Sequence, residues 1–254
     1  MNRRFPLLFF LALLLSGSSF PQIQDKEDFK SFLGDALIAP AHFDSKDFIP
    51  LGVSLAAISG SYFLDHQIKT LSQNNRTPTA DKIFAADKYF VEIAASLSAL
   101  TYFYGLAAEN YKTRRLGLKL AEAFLLQATA MVSLKFLVGR ERPASGTSND
   151  SFNPFNTSWA FTSFPSGHTS TAFALASVIA NDTDQIGWKI TAWSLASAIG
   201  FSRIYNNEHW LSDVVAGALI GYFAGEFVSA HKSNNQSPRV QIIPIPLSVS
   251  IPLN

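Results

Sequence analysis

The sequence predicts an all-α fold: a bundle of about six core helices with its chemistry gathered at one end, followed by a short extended tail. Three observations predict it. Apolar segments recur at Ile49 to Leu64, Phe90 to Ala107, Leu116 to Val138, His168 to Ala180, Trp188 to Phe201 and Leu211 to Ala230. They are rich in Ala, Leu, Ser and Gly and lack period-two alternation, so they read as helices rather than strands. Only 15% of residues are charged, against a usual share of about 25%, while 48% are hydrophobic and 22 are Phe. That balance suits helices buried in a bundle or in lipid.

The elements follow in chain order. Asn2, Arg3 and Arg4 precede an apolar run from Phe5 to Leu15, and Ser16-Gly17-Ser18-Ser19 supplies small residues for cleavage. Residues 1–19 therefore read as a secretory signal peptide. An N-terminal anchor is the other reading, although the run is short of the ~20 residues of a span. Residues 20–47 are polar, with Asp25, Lys26, Glu27 and Asp28 close together, and read as a leader with an early helix. Residues 48–232 hold the apolar helices. Asn74-Asn75-Arg76-Thr77-Pro78 and Asn181-Asp182-Thr183-Asp184 punctuate them. The linker from Ala144 to Ser163 is long for a compact domain, which points to a functional loop. In residues 233–254, Pro244, Pro246 and Pro252 forbid helix and predict an extended tail.

Composition excludes some chemistry. A formal net charge of +1 gives no reason to expect a nucleic-acid partner, and the absence of Cys excludes disulfides and thiolate catalysis. No Asp/Glu/His cluster has metal-ligand spacing. The membrane question has two sides. Ala216-Gly217-Ala218, then Gly221 and Gly225, give small residues at four-residue steps, which suits close helix packing in lipid. Several segments hold fewer than ~18 uninterrupted apolar residues, which suits a soluble core. Lys112, Arg114, Arg115 and Lys119 lie between the second and third segments. A cytoplasmic placement of that loop puts the C-terminal end of the third segment outside. A cleaved signal with six spans puts the loop itself outside. A retained anchor with a non-spanning Ile49 to Leu64, or a soluble periplasmic protein, removes the conflict. The expectation is membrane association.

Three clusters carry candidate chemistry. Lys135 and Arg142 are seven residues apart, nearly two helical turns, so a helix running to Pro143 would point both the same way. Taken alone, they also read as cations at a helix C-terminus. Pro165-Ser166-Gly167-His168 stands directly before an apolar segment. Free N–H groups at such a helix start bind anions, and Gly167 permits close approach. Ser166 reads alternatively as an N-cap. Finally, Arg203 precedes His209 and Asp213, which are four apart and share a face if helical. An Asp there orients an imidazole and leaves its other nitrogen free to attack. Arg140 reads as a surface or loop charge, Glu208 as facing elsewhere without a role, and His42, His66 and His231 as solvent-exposed.

Together these spacings resemble the phosphatidic acid phosphatase type 2/vanadium haloperoxidase superfamily. Its pattern is Lys, six residues, Arg-Pro; then Pro-Ser-Gly-His; then Ser-Arg, five residues, His, three residues, Asp. The match runs from Lys135 to Asp213, about a third of the chain, without a departure. The resemblance implies a metal-independent phosphatase. His209 would be the nucleophile, Asp213 its orienting partner, and His168 the general acid and then base. Lys135, Arg142 and Arg203 would neutralise the phosphoryl oxygens, with Ser166 and Gly167 adding hydrogen bonds. The implied substrate is a lipid phosphate at the cell envelope, met by a periplasm-facing site. A soluble periplasmic acid phosphatase shares the motifs; a haloperoxidase resembles longer chains.

Overall fold

The computed structural model describes residues 20–42, 44–145 and 148–231. The expectations for residues 1–19 and for the 233–254 tail lie outside the described residues. Among the described residues there are nine α-helices and no β-strand, so the protein is all-α. They are α1 (Phe20–Ile38), α2 (Phe48–Tyr62), α3 (Asp65–Asn74), α4 (Pro78–Phe84), α5 (Phe90–Ala107), α6 (Tyr111–Val138), α7 (Gly167–Asp182), α8 (Ile186–Tyr205) and α9 (Leu211–Ala230).

Each apolar segment is a helix with local stops. Asn110 caps α6 by accepting from the Thr113 N–H at 3.1 Å. Gly139 ends α6 in a left-handed conformation with φ 57°. A side chain there would strike the Asn153 carbonyl, so the loop closes directly onto the helix end. The helix therefore stops short of Arg142, and not at Pro143 as the sequence suggests. Helices α3 and α4 lack long apolar runs. Thr77 caps α4 through the Ala80 N–H, with Pro78 in the first turn.

The core is built on α7 and α9. Side chains at Gly217 and Gly221 would meet the Ser166 and Ser170 carbonyls, so these glycines let α9 lie directly on α7. Leu118, Ala123, Ala174, Val178 and Val228 are fully buried between α6, α7 and α9. Phe29 and Phe32 bring α1 into the same cluster. The polar stretch read as a leader is thus a helix packed on the bundle.

Three helical segments are long and apolar enough to cross a membrane: Pro78–Ala107, Tyr111–Val138 and Leu211–Ala230. The pair Ser45–Tyr62 and Asp65–Asn74, bent by 54°, makes a fourth if it counts as one span. Apolar side chains such as Val132, Leu137, Leu100 and Leu195 face outward, as lipid-facing positions do. These features mark a membrane protein. Arg114 and Arg115 do not act as loop charges, however. Arg114 pairs with Asp25 at 3.0 Å and Arg115 with Asp28 at 3.3 Å, all four side chains being largely buried. The basic cluster between the second and third segments therefore carries less topological information than its composition implies.

Candidate active site

The three motif clusters meet at one end of the bundle. Lys135 comes from the last turn of α6, Arg142 from the loop after it, and Ser166, Gly167 and His168 from the start of α7. Arg203 comes from the last turn of α8, and His209 and Asp213 flank the start of α9.

Lys135 and Arg142 converge on the long loop. Lys135 Nζ donates to the carbonyls of Thr162 and Pro165, each at 2.6 Å. Arg142 also donates to the Thr162 carbonyl, at 3.3 Å, and lies over the Trp159 ring at 3.7 Å from its centroid. The Thr162 carbonyl thus helps to aim both cations. Arg203 is held differently, by Asp87 at 2.9 Å. Asp87 also accepts from Ser202 Oγ and Asn206 Nδ2. No sequence signal singled Asp87 out, because it stands alone in a short 3-10 turn far upstream.

Glu208 has a position that its place in the sequence hid. Its carboxylate is 2.8 Å from Arg142 and 3.6 Å from Arg203, so it bridges two of the predicted phosphate-binding arginines. The expectation that it faces elsewhere assumed a helix start at residue 208. The chain there is a turn, with Asn207 at φ 57° and Trp210 as the N-cap of α9.

The same turn reshapes the His209–Asp213 pair. His209 precedes the helix rather than sharing a helical face with Asp213. Its Nδ1 nevertheless lies 3.7 Å from Asp213 Oδ2, longer than a hydrogen bond. Its Nε2 points toward Arg142 Nη1 at 3.5 Å. Asp213 is fixed from several sides: Oδ2 accepts from Ser163 Oγ and from the Trp210 N–H, and Oδ1 from Arg140. Arg140 is therefore no surface charge, being 2% exposed. Of the outlying histidines, His66 is exposed, as expected. The His231 side chain is buried, with Nδ1 3.0 Å from Asp35. The His42 side chain is outside the described residues.

At the start of α7, Ser166 occupies the N-cap position without capping through its side chain. Its hydroxyl instead lies 2.9 Å from Thr169 Oγ1. The first N–H groups of α7 thus keep their capacity for an anion. A side chain on Gly167 would meet only Lys135 Cε, at 3.9 Å, so this face opens toward the lysine rather than into packing.

Electrostatics follow from burial and from the cations. Burial, reinforced by Arg203, Lys135 and Arg142, pushes the His168 pKa from 6.5 down to about 3. Burial and the same cations, led by Arg142, hold His209 well below its ordinary value. Burial also lowers Arg142 to about 10, which leaves it charged at neutral pH. Both imidazoles are therefore neutral bases among fixed positive charges. His209 Nδ1 and His168 Nε2 are buried without a hydrogen-bond partner. Among the described residues, no group of three His, Cys, Asp or Glu is placed to hold a metal ion. The arrangement can receive a dianion, attack it with an imidazole and pass protons through a second imidazole.

Residues 116–236 match the family model described as the PAP2 superfamily. A lipid A 1-phosphatase of Porphyromonas gingivalis is 37% identical over 94 residues, covering 36% of this chain and 18% of that protein. A lipid A 4'-phosphatase of the same organism is 32% identical over 65 residues, 26% of this chain and 28% of that one. The chain thus matches less than a third of either relative's length. The crystal structure of Aquifex aeolicus LpxE superposes with a TM-score of 0.50 at 28% identity, covering 65% of this chain and 94% of that one.

Proposed function

Because residues 116–236 belong to the PAP2 superfamily, we propose that the protein is a phosphatase that removes phosphate through a phosphohistidine on His209. The observation that carries this reading is the gathering of three cations and two neutral imidazoles at the start of α7. Lys135, Arg142 and Arg203 neutralise the phosphoryl oxygens, with the α7 N–H groups beside them. Positioning and charge stabilisation are the main demands of phosphoryl transfer. Fixed cations supply them here, and activity is expected to survive EDTA.

In the first step, His209 Nε2 attacks phosphorus and the bond to the leaving oxygen breaks. His168, protonated once the phosphoryl dianion offsets the surrounding cations, gives its proton to that oxygen. In the second step, His168 takes a proton from water as the water oxygen attacks phosphorus, and the P–N bond breaks. The sum is one ester and one water converted to one alcohol and one phosphate. Asp213 faces the Nδ1 side of His209 and stabilises the positive charge that attack creates there.

The substrate proposed is a lipid phosphate met at the periplasmic face of the cell envelope. The lipid A phosphatases among the relatives and the membrane-spanning helices support that class. Rapid-quench trapping of labelled phosphoenzyme tests the roles. His209→Ala should trap nothing with any substrate. His168→Ala should trap phosphate from p-nitrophenyl phosphate, whose leaving group needs little protonation, and release it slowly. It should fail with a lipid alkoxide, where general acid help contributes about 10²–10⁴-fold. Phosphohistidine in His209→Ala would overturn the assignment.

A further inference from the structure

Arg140 lies two residues from the motif arginine, and the proposed chemistry leaves it without a role. It is among the largest fully buried side chains, and its donors are fully used. Nε and Nη2 donate to the Asn149 carbonyl at 2.9 and 2.8 Å. Nη1 donates to Ser212 Oγ at 2.7 Å and to Asp213 Oδ1 at 2.6 Å. Nη2 donates to Asp65 Oδ2 at 2.7 Å. That accounts for all five N–H groups of a planar guanidinium. The rings of Tyr62, Phe152 and Trp210 lie 5.2 to 5.7 Å from its centre and close the socket.

Asp65 is equally committed. It is 0% exposed and comes from α3, outside the family-matched segment. Its Oδ1 accepts from the Ser212 N–H at 2.8 Å, and its Oδ2 accepts from Ser212 Oγ and Asn149 Nδ2. The two aspartates thus grip one arginine from opposite sides, and Asp65 also secures the first turn of α9.

We propose that Asp65 and Arg140 are a positioning pair for the reaction: they set the Asp213 carboxylate, and through it His209, in the attacking geometry. This rests on His209 being the nucleophile. Three features carry the inference. The fork allows Asp213 one orientation, with Oδ1 on Arg140 and Oδ2 left for Ser163, Trp210 N–H and His209. Asp65 balances the buried guanidinium, so Asp213 is not the sole counter-charge and can respond to the imidazolium formed on attack. A lysine cannot replace the arginine, because an ammonium has three donors and no plane.

The test is a double-mutant cycle on the full chain in detergent, read as the single-turnover rate of phosphoenzyme formation from p-nitrophenyl phosphate. Arg140→Lys, Arg140→Gln and Asp65→Asn should each lower that rate by about 10–100-fold, the size typical of outer-sphere partners. In an Asp213→Asn background, the same changes should cost less than about twofold, because the carboxylate they position is gone. The inhibition constant of vanadate should change little in the Asp65→Asn variant, since ground-state oxyanion contacts remain. A purely structural role predicts equal losses in both backgrounds, in step with a lowered melting temperature, and would overturn the inference. If Arg140→Gln does not fold, Asp65→Asn decides, because it keeps the side-chain shape and one acceptor oxygen. Failure of the underlying reading looks different: Asp213→Asn would itself retain full rate, or His209→Ala would still trap phosphate.

Discussion

The two ends of the bundle hold their cations differently, in matched pairs at one and in shared networks at the other. At the end where α6 starts, three basic residues of the helix stand in matched pairs with acids. Arg114 has Asp25, Arg115 has Asp28 and Lys119 has Asp182. At the other end, roughly 30 Å along α6 by its rise per residue, Lys135 and Arg142 are aimed by the carbonyls of Thr162, Pro165 and Trp159, and the Glu208 carboxylate is shared by Arg142 and Arg203. Matched pairs cancel and staple helices together. One carboxylate shared by two arginines cancels less charge than two matched pairs do, which suits the proposed phosphate site. One helix therefore carries a structural end and a chemical end, distinguished by what its basic residues touch.

The sharpest way to break this contrast is to exchange the costs. Lys135→Met should lower turnover by about 10²–10³-fold, as loss of one preorganised oxyanion partner does, while thermal unfolding in detergent changes little. Arg115→Leu should do the reverse. It removes the arginine from the buried Asp28 carboxylate and should cost up to about 3–5 kcal/mol of stability, with turnover per folded molecule nearly unchanged. If both variants lose the same property, the division between the ends is wrong.

Acid sharpens the contrast. His168 titrates near 3 in the folded chain and near 6.5 when unfolded. Below 6.5 the unfolded chain binds a proton that the folded chain refuses, so stability should fall as pH drops from 6.5 toward 3. His168→Gln should flatten part of that slope in a melting-temperature series, and vanadate should raise stability across it. An unchanged slope in the variant would show that burial and the nearby cations do not depress this imidazole.

The smallest effect tests Glu208. Its carboxylate bridges Arg142 and Arg203 and is about a third exposed. Glu208→Gln should tighten vanadate inhibition by a few-fold, the scale of a partly exposed pair. Weaker inhibition would mean that the carboxylate helps to hold the arginines for the phosphate rather than competing with it.

The sequence by itself determined the helices and the motif residues. Apolar runs without alternation can be buried only as helices, and each predicted segment matches a helix within a few residues, because Asn110, Gly139 and Pro78 are local stops. Lys135, Arg142, Ser166, Gly167, His168, Arg203, His209 and Asp213 were legible because their spacing is a chemical pattern. Only the tertiary structure decided which remaining charges matter. Arg140 and Glu208 sit beside motif residues, yet their partners Asp65, Asp213 and Arg203 lie on other elements or beyond a turn. Helical-wheel reasoning fails there because α6 ends at Val138 and α9 begins at Leu211, so both residues lie outside regular helix. Asp25, Asp28 and Asp87 carried no signal of their own, because the arginines they meet lie on other helices. A carboxylate's role depends on whether an arginine from a distant helix reaches it before water does, and local sequence does not encode that encounter.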